Sequence, residues 1–241
     1  IYGKCAGQYA LKAGHQHLVD RLVSAGVQAE LLFRAMGKNL PVESNEERIA
    51  NRKYLEREIK YDGDRLLDAD ARGVMMQWED PLMAAHAEVV CRGSGDVLNV
   101  GFGMGIIDTY IQGYAPRSHT IIEAHPEVHK KMLADGWGEK PGVTIVLGRW
   151  EDVIHELGPF DGVFFDTFDD DFVSFHAHLP KLIKPGGVYS FFNGIHPENT
   201  FFQGVACQLI KTELDGMGFV SDFITCDIQC DGVGMAGDDD Q

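Results

Sequence analysis

From about residue 96 onward, short apolar runs alternate with longer amphipathic stretches. The runs predict strands at 96–100, 119–123, 143–147, 160–166, 187–192 and 219–224. The stretches between them predict helices that end near Tyr114 and that cover 126–135, 150–157, 172–182 and 201–217. Strands that alternate with helices of this length indicate a mostly parallel sheet covered by helices. We therefore predict an α/β fold.

The first part of the chain has a different pattern. Residues 1 to about 37 are predicted to be helical, with apolar residues at i, i+4 spacing and a break at Gly14. Residues 9–26 resemble a single ankyrin-type helical pair, whereas ankyrin domains stack several such units. Residues 42–70 are rich in charges of alternating sign and predict a solvated helix or a mobile lid.

Composition excludes several classes of protein. The chain has 241 residues, 44% of them hydrophobic, and this apolar content excludes intrinsic disorder. Its formal net charge of −16 disfavours binding to nucleic acid and favours a cationic partner. The sequence contains no apolar run long enough for a membrane span. Five cysteines without a framework are typical of free thiols in a reducing compartment, and no metal site is predicted from them.

Two features at strand ends indicate a nucleotide-type ligand. A glycine-rich turn at 101–105 follows the first strand of the α/β region and begins a helix, where backbone can approach a ligand closely. Glu123 ends the next strand, where a carboxylate can accept hydrogen bonds from ribose hydroxyl groups. The Gly-x-Gly-x-Gly spacing departs from the dinucleotide fingerprint, which disfavours a nicotinamide-dependent oxidoreductase.

Three further segments carry candidate side chains. Asp166 ends the fourth strand of this region, and ligands of parallel sheets bind at that edge. Trp150 and Glu151 follow the third strand; they suit contacts with an adenine, or simply the start of a helix. Asp80-Pro81 is well explained as a helix start, but that explanation does not account for the adjacent pair Trp78-Glu79.

Together these residues resemble the guanidino-group methyltransferases that use S-adenosylmethionine. The resemblance covers about residues 70–225 and rests on segments 77–83, 100–105, 148–153, 160–168 and 182–188. It extends to two relatives, guanidinoacetate N-methyltransferase and the arginine N-methyltransferase 2 group. The latter methylates the delta nitrogen of arginine in a ribosomal protein. The resemblance implies a Rossmann-like class I methyltransferase sheet, in this chain with an N-terminal helical extension.

The resemblance also implies a role for individual residues. Glu79 and Asp166 would hold the guanidinium group of the acceptor. The cofactor S-adenosylmethionine, which leaves as S-adenosylhomocysteine, would contact Met75, Met83, Gly101, Phe102, Gly103, Met104, Gly105, Ile106, Ile107, Glu123, Ala124, His125, Trp150, Glu151 and Asp166. The chemistry agrees, because two carboxylates can orient a guanidinium and accept its proton during methyl transfer.

The ankyrin-like start favours an arginine in a basic protein, such as a ribosomal protein, over guanidinoacetate as acceptor. We expect the protein in the cytoplasm or the nucleus, in line with its cysteine usage. A non-catalytic module that binds the donor or a partner is the alternative of another class. The expected domains are an ankyrin-like remnant at 1–40, a charged helical lid or linker at 41–75 and the methyltransferase domain at 76–241. The Gly- and Asp-rich tail after Ile224 lacks a convincing last strand, so a missing or degenerate terminal hairpin is also expected.

Overall fold

The computed structural model describes residues 5–35, 53–168, 172–192 and 200–224. The described residues divide into two compact units. The larger contains 53–168, 181–190 and residue 224, and the smaller contains 5–35, 172–180, 191–192 and 200–223. The smaller unit therefore joins the N-terminal helices to later parts of the chain, whereas the sequence suggested three consecutive segments.

Helices and strands are numbered separately along the chain. The helices are α1 (Ala6–Lys12), α2 (Gln16–Ala35), α3 (Asp80–Val90), α4 (Ile106–Gly113), α5 (Pro126–Ala134), α6 (Trp150–Val153), α7 (Phe172–His176), α8 (Leu179–Leu182) and α9 (Thr200–Gly216). The strands are β1 (Lys60–Asp62), β2 (Arg65–Leu67), β3 (Gly73–Met76), β4 (Asp96–Val100), β5 (Ser118–Glu123), β6 (Val143–Leu147), β7 (Phe160–Phe165) and β8 (Ile183–Phe191). Short 3₁₀ helices lie at Gln77–Glu79, Trp137–Glu139 and Ile154–Glu156.

The larger unit is built on a five-stranded sheet with the order β6-β5-β4-β7-β8. The pairs β6–β5, β5–β4 and β4–β7 are all parallel. The strand order places β4 at the centre, and the carboxyl ends of β4, β5 and β7 lie side by side, because Val100 pairs with both Ile122 and Phe165. The predicted α/β class with a mostly parallel sheet is confirmed.

The core explains why these strands read as continuous apolar runs in the sequence. Leu98, Ile121, Val163 and Phe164 are fully buried in the central strands. Helices α3 and α4 supply Met83, Ala87, Ile107 and Ile111, also fully buried, to a core cluster that includes Ile121 and Phe164. A parallel sheet that is covered on its faces has no solvent side, so its strands need apolar residues at successive positions.

The structure corrects the expectation for the segment before the sheet. A solvated helix or a mobile lid was predicted over 42–70. Residues 42–52 lie outside the described ranges and 53–55 are helical, but β1 and β2 join β3 in a three-stranded antiparallel sheet. The strands are only three or four residues long, which is too short to show a clear alternation in the sequence. The hairpin packs inward through Leu66, which is fully buried.

The strand predicted at 219–224 is also wrong. These residues form no strand in the described part of the chain, and Val220 and Ile224 are 99% and 75% exposed. The local polar contacts are turn-like, since Asp222 accepts a hydrogen bond from the backbone N–H of Phe223. The predicted missing terminal hairpin lies at 226–241, outside the described residues.

The smaller unit contains α1, α2 and α9. A helical break between α1 and α2 occurs where Gly14 has a φ of +72°, as the sequence predicted. The helices approach closely at glycines: a Cβ on Gly26 would lie 3.0 Å from Val205 of α9. The likeness of α1 and α2 to an ankyrin pair stays a prediction. None of the helices in the described ranges is long and apolar enough to cross a membrane.

Candidate active site

The candidate site lies wholly in the larger unit, at the carboxyl ends of β4, β5 and β7. Gly101, Glu123 and Asp166 stand at these three strand ends. Backbone hydrogen bonds join them, since Gly101 N donates to Ile122 O at 2.9 Å and Asp166 N donates to Val100 O at 3.0 Å. The sheet register therefore brings together the three positions that the sequence singled out.

Gly101 begins the turn at a point where no side chain fits. Its φ is +95°, and a Cβ there would lie 2.0 Å from the backbone oxygen of Asp166. Because that oxygen belongs to the backbone, the contact could not be relieved by a rotamer change. Glycine at this position therefore allows the turn to pass directly beside the backbone of Asp166.

The middle of the turn packs against the three-stranded sheet. Met104 N donates to the sulfur of Met75 at 3.1 Å, and a Cβ on Gly103 would lie 2.7 Å from the same sulfur. The hydroxyl group of Tyr61 donates to Gly103 O at 3.1 Å. Gly105, with a φ of +72°, is the N-cap of α4. Side chains from β1 and β3 therefore hold the turn from outside the main sheet.

Glu123 is buried and surrounded by backbone donors. Its Oε2 accepts from Phe102 N at 3.0 Å and its Oε1 accepts from His125 N at 2.6 Å. Burial is the largest influence on its pKa and raises it, while these backbone hydrogen bonds oppose the shift. Backbone donors thus fix the carboxylate between the glycine turn and the start of α5, and its contact with a ribose stays a prediction.

Glu79 and Asp166 form a pair of carboxylates in the same site. Burial raises the pKa of Asp166 to about 7, and the charge of Glu79 is the second cause. Burial also raises the pKa of Glu79, although its Oε1 accepts a hydrogen bond from Met76 N at 2.8 Å. Two half-buried carboxylates that repel one another form a site that a cation such as a guanidinium can neutralise.

The other residues of the predicted cofactor set have varied surroundings. Met83 and Ile107 are fully buried, Ile106 is nearly so, and Phe102 stacks edge-on against Trp137 at 5.2 Å. Ala124 is half-buried, and the ring of His125 caps α5 by accepting from Glu127 N at 3.2 Å. Trp150 is buried edge-on against Phe165 at 5.9 Å, and Glu151 pairs with Arg149. All of these residues belong to the unit that carries the site, and their contacts with a cofactor stay predictions.

The sequence pattern did not reveal an aromatic group from the charged segment. The ring of Tyr54 lies 5.0 Å from that of His125 and 4.7 Å from that of Phe168. Burial, followed by the charge of Glu123, raises the pKa of both Tyr54 and Tyr61. Both tyrosines therefore lie close to the candidate ribose carboxylate. The only signal was their presence as isolated aromatic residues in a charged stretch.

The residues at the site fit S-adenosylmethionine. Gly101, Gly103 and Gly105 all have positive φ and let the turn pack closely on neighbouring protein atoms, and the turn leads into the N-terminus of α4, where backbone N–H groups are available to a ligand. A buried carboxylate stands beside them at the end of β5. Among the described residues, no cluster of three or more His, Cys, Asp or Glu side chains could hold a metal ion.

Comparisons with known proteins agree with this geometry. Residues 44–199 match the family model described as guanidinoacetate N-methyltransferase. The chain belongs to this family. It is also 42% identical over 180 residues to Protein arginine N-methyltransferase 2 of Aspergillus oryzae, and 39% identical over 199 residues to the protein of that name in Yarrowia lipolytica. The resemblance deduced from the motifs is confirmed.

These alignments cover more of this chain than of the relatives. They include 71% of the chain and 44% of the Aspergillus protein, and 76% of the chain and 42% of the Yarrowia protein. The chain thus spans less than half the length of these two relatives. Among solved structures, a SAH-bound methyltransferase from Podospora anserina is similar with a TM-score of 0.45 and 16% identity, over 75% of this chain and 90% of the other.

Proposed function

We propose that this chain is an S-adenosylmethionine-dependent methyltransferase that acts on a guanidino nitrogen of arginine in a basic protein. The observation that carries the proposal is the pair Glu79 and Asp166, whose charges interact beside the glycine turn. The names of the fungal relatives support arginine as the acceptor. We further propose the delta nitrogen as the methylated atom and a ribosomal protein as the substrate, in line with the motif resemblance.

The carboxylate pair deals with the main chemical obstacle. A guanidinium has a pKa above about 12, so its nitrogen lone pairs are poor nucleophiles while the group stays protonated. Glu79 and Asp166 can accept hydrogen bonds from two of its nitrogens and fix the plane of the group. Because burial raises the pKa of both carboxyl groups, either is better suited to accept the proton that nitrogen releases.

S-adenosylmethionine, when bound, supplies an electrophilic methyl group on a sulfonium sulfur. Glu79 or Asp166 would accept the proton that the acceptor nitrogen loses when the methyl group is transferred to it. The remaining task of the protein is to align the reacting atoms, and the close approach of Gly101 to the Asp166 backbone sets the glycine turn directly beside one of the two carboxylate residues.

The net charge of the chain and its cysteines support the proposals of a basic protein partner and a reducing compartment. A net charge of −16 favours a basic protein and disfavours direct binding of nucleic acid. Cys5 and Cys91 are free thiols, which agrees with a reducing compartment such as the cytoplasm or nucleus. We also propose that α1 and α2 are part of an ankyrin-like region that contributes to recognition of the partner.

Guanidinoacetate is the second candidate acceptor, because the matching family model carries that description. A competition assay separates the two. Labelled S-adenosylmethionine is incubated with the protein and either a ribosomal-protein fraction or guanidinoacetate. Label on protein arginine supports the proposal, whereas label on guanidinoacetate alone would replace it. Binding of the donor with no transfer to either acceptor would instead support a non-catalytic module.

A further inference from the structure

A buried polar network lies directly beneath the glycine turn. Its centre is Asn99, on the central strand β4, where the side chain is fully buried. The amide Nδ2 donates two hydrogen bonds, to Gly101 O at 2.9 Å and to Asp108 Oδ1 at 2.8 Å. Both donor hydrogens of Asn99 are thus used, one on the turn and one on α4.

The network continues away from the turn. His119 on β5 places its Nε2 3.1 Å from Asp108 Oδ1, an ion-pair distance that falls short of hydrogen-bond geometry. On the other side of that ring, Gln112 Nε2 lies 3.0 Å from His119 Nδ1. Asp108 and His119 are also fully buried. The candidate mechanism uses none of these side chains.

A polar residue at position 99 is costly. In the described part of the chain, its Oδ1 is buried without a hydrogen-bond partner, as is Oδ2 of Asp108. Its neighbours on β4, Leu98 and Val100, are apolar and buried. An apolar residue would avoid the desolvation of Oδ1 but would remove both donor contacts. The contacts themselves are therefore the physical gain from an asparagine at this position.

The contact to Gly101 O matters because of what else Gly101 touches. Its N–H is bound to Ile122 O at 2.9 Å, and its Cα approaches the backbone of Asp166 so closely that a Cβ would lie 2.0 Å from that oxygen. Asn99 therefore holds Gly101, which belongs to the glycine turn and also contacts the backbone of Asp166. Loss of that hydrogen bond would loosen both sides of the reaction.

We propose that Asn99 is a positioning residue, which, anchored by Asp108, holds the carbonyl of Gly101 and so sets the turn against Asp166. Its effect on methyl transfer rests on the proposed function, but its effect on the turn does not. The first test is Asn99→Ala, compared with Leu98→Ala on the same strand. Leu98 is equally buried, and because successive side chains on a strand point to opposite faces of the sheet, it controls for loss of core packing on the other face.

Two readouts separate positioning from stability. Hydrogen exchange of the 101–105 segment in the ligand-free protein reports the turn directly, and calorimetry with S-adenosylhomocysteine reports the donor site. For Asn99→Ala we expect about tenfold faster exchange in the segment and about tenfold weaker binding. For Leu98→Ala we expect a lower melting temperature but less than a threefold change in either quantity.

A double variant that carries both Asn99→Asp and Asp108→Asn, and so swaps the two residue types, provides a second test. It restores a donor–acceptor contact between positions 99 and 108, but an aspartate at 99 cannot donate to Gly101 O. We expect the melting temperature to recover relative to Asn99→Ala, while exchange in the turn stays fast and S-adenosylhomocysteine binding stays weak. Full recovery of both readouts would overturn the proposal, because the network would then be purely structural.

Asn99→Ala and Leu98→Ala test the proposal even if the double variant does not fold. Equal effects of Asn99→Ala and Leu98→Ala on exchange and binding, or no effect of Asn99→Ala on exchange, would also overturn the proposal. Failure of the proposed function gives a different result. If donor binding itself fails, the unsubstituted protein does not bind S-adenosylhomocysteine, and the exchange data still decide whether Asn99 positions the turn. If only the acceptor is different, methyl transfer to protein arginine is absent while both the exchange and the binding readouts remain measurable.

Discussion

The charge of Asp166 is predicted to lower the stability of the ligand-free protein as pH rises. Burial and the charge of Glu79 raise the pKa of this carboxyl group from 3.8 to about 7. A group whose pKa is higher in the folded state contributes stability below its unfolded pKa and loses that contribution as pH rises through its folded pKa. Since one pKa unit corresponds to about 1.4 kcal/mol, the whole loss is at most about 4 kcal/mol and is complete above about pH 7.

Asp166→Asn removes this charge and its pH dependence. The substitution also changes local contacts, but that part does not vary with pH. The free energy of unfolding of the variant, relative to the unsubstituted protein, is therefore expected to increase by about 2 kcal/mol between about pH 5.5 and about pH 8. Urea denaturation of both proteins without ligand measures this, and melting temperatures should diverge by about 4 to 8 °C.

A matched control is Asp64→Asn, because the side chain of Asp64 is 74% exposed. Its stability relative to the unsubstituted protein should change little over the same pH interval. If the relative stability of Asp166→Asn stays constant with pH, or falls as pH rises, the placement of a charged carboxyl group in a desolvated site is refuted.

Three further predictions concern the same region. Glu79→Gln should lower the pKa of Asp166, followed by NMR, but leave it above 3.8, since burial is the larger cause; an unchanged pKa would mean that the carboxylates do not interact. Glu79→Gln and Asp166→Asn should each reduce transfer about 100-fold or more while donor binding, measured by calorimetry, survives. Gly103→Ala should weaken S-adenosylhomocysteine binding about tenfold, because a Cβ would lie 2.7 Å from the sulfur of Met75 at a φ of +56°. Gly113→Ala is its control, with nothing within 4 Å, and equal effects of the two would contradict the packing of the turn.

The sheet and the strand-end residues could be predicted because their patterns are local. Each strand of the main sheet that carries the site is a short apolar run, and Gly101, Glu123 and Asp166 each follow such a run directly. In a parallel sheet, carboxyl ends meet at one edge, so sequence position alone brought these residues together. Glu79 was different: it entered through the motif resemblance, and no local pattern placed it near Asp166, whose pKa is raised first by burial and second by the charge of Glu79.

The three-stranded sheet of β1, β2 and β3 and the positions of Tyr54 and Tyr61 could not be predicted, because they depend on contacts between residues that are distant in sequence. Strands β1 to β3 are too short for a periodic signal, and their stability comes from tertiary contacts such as Leu66 in the core. Tyr54 and Tyr61 reach the site through pairings with His125 and Gly103, which are distant in sequence. Residues 219–224 show the reverse error, since an apolar run without a pairing partner did not become a strand.

The most direct test of the central claim is to identify the atom that receives the methyl group. The protein is incubated with isotopically labelled S-adenosylmethionine and a basic ribosomal-protein fraction, and digested products are analysed by mass spectrometry. We predict labelled monomethylarginine, with fragmentation that places the methyl group on the delta nitrogen, and no label after Asp166→Asn. Label on guanidinoacetate but not on protein arginine, or undiminished labelling by Asp166→Asn, would contradict the proposed function.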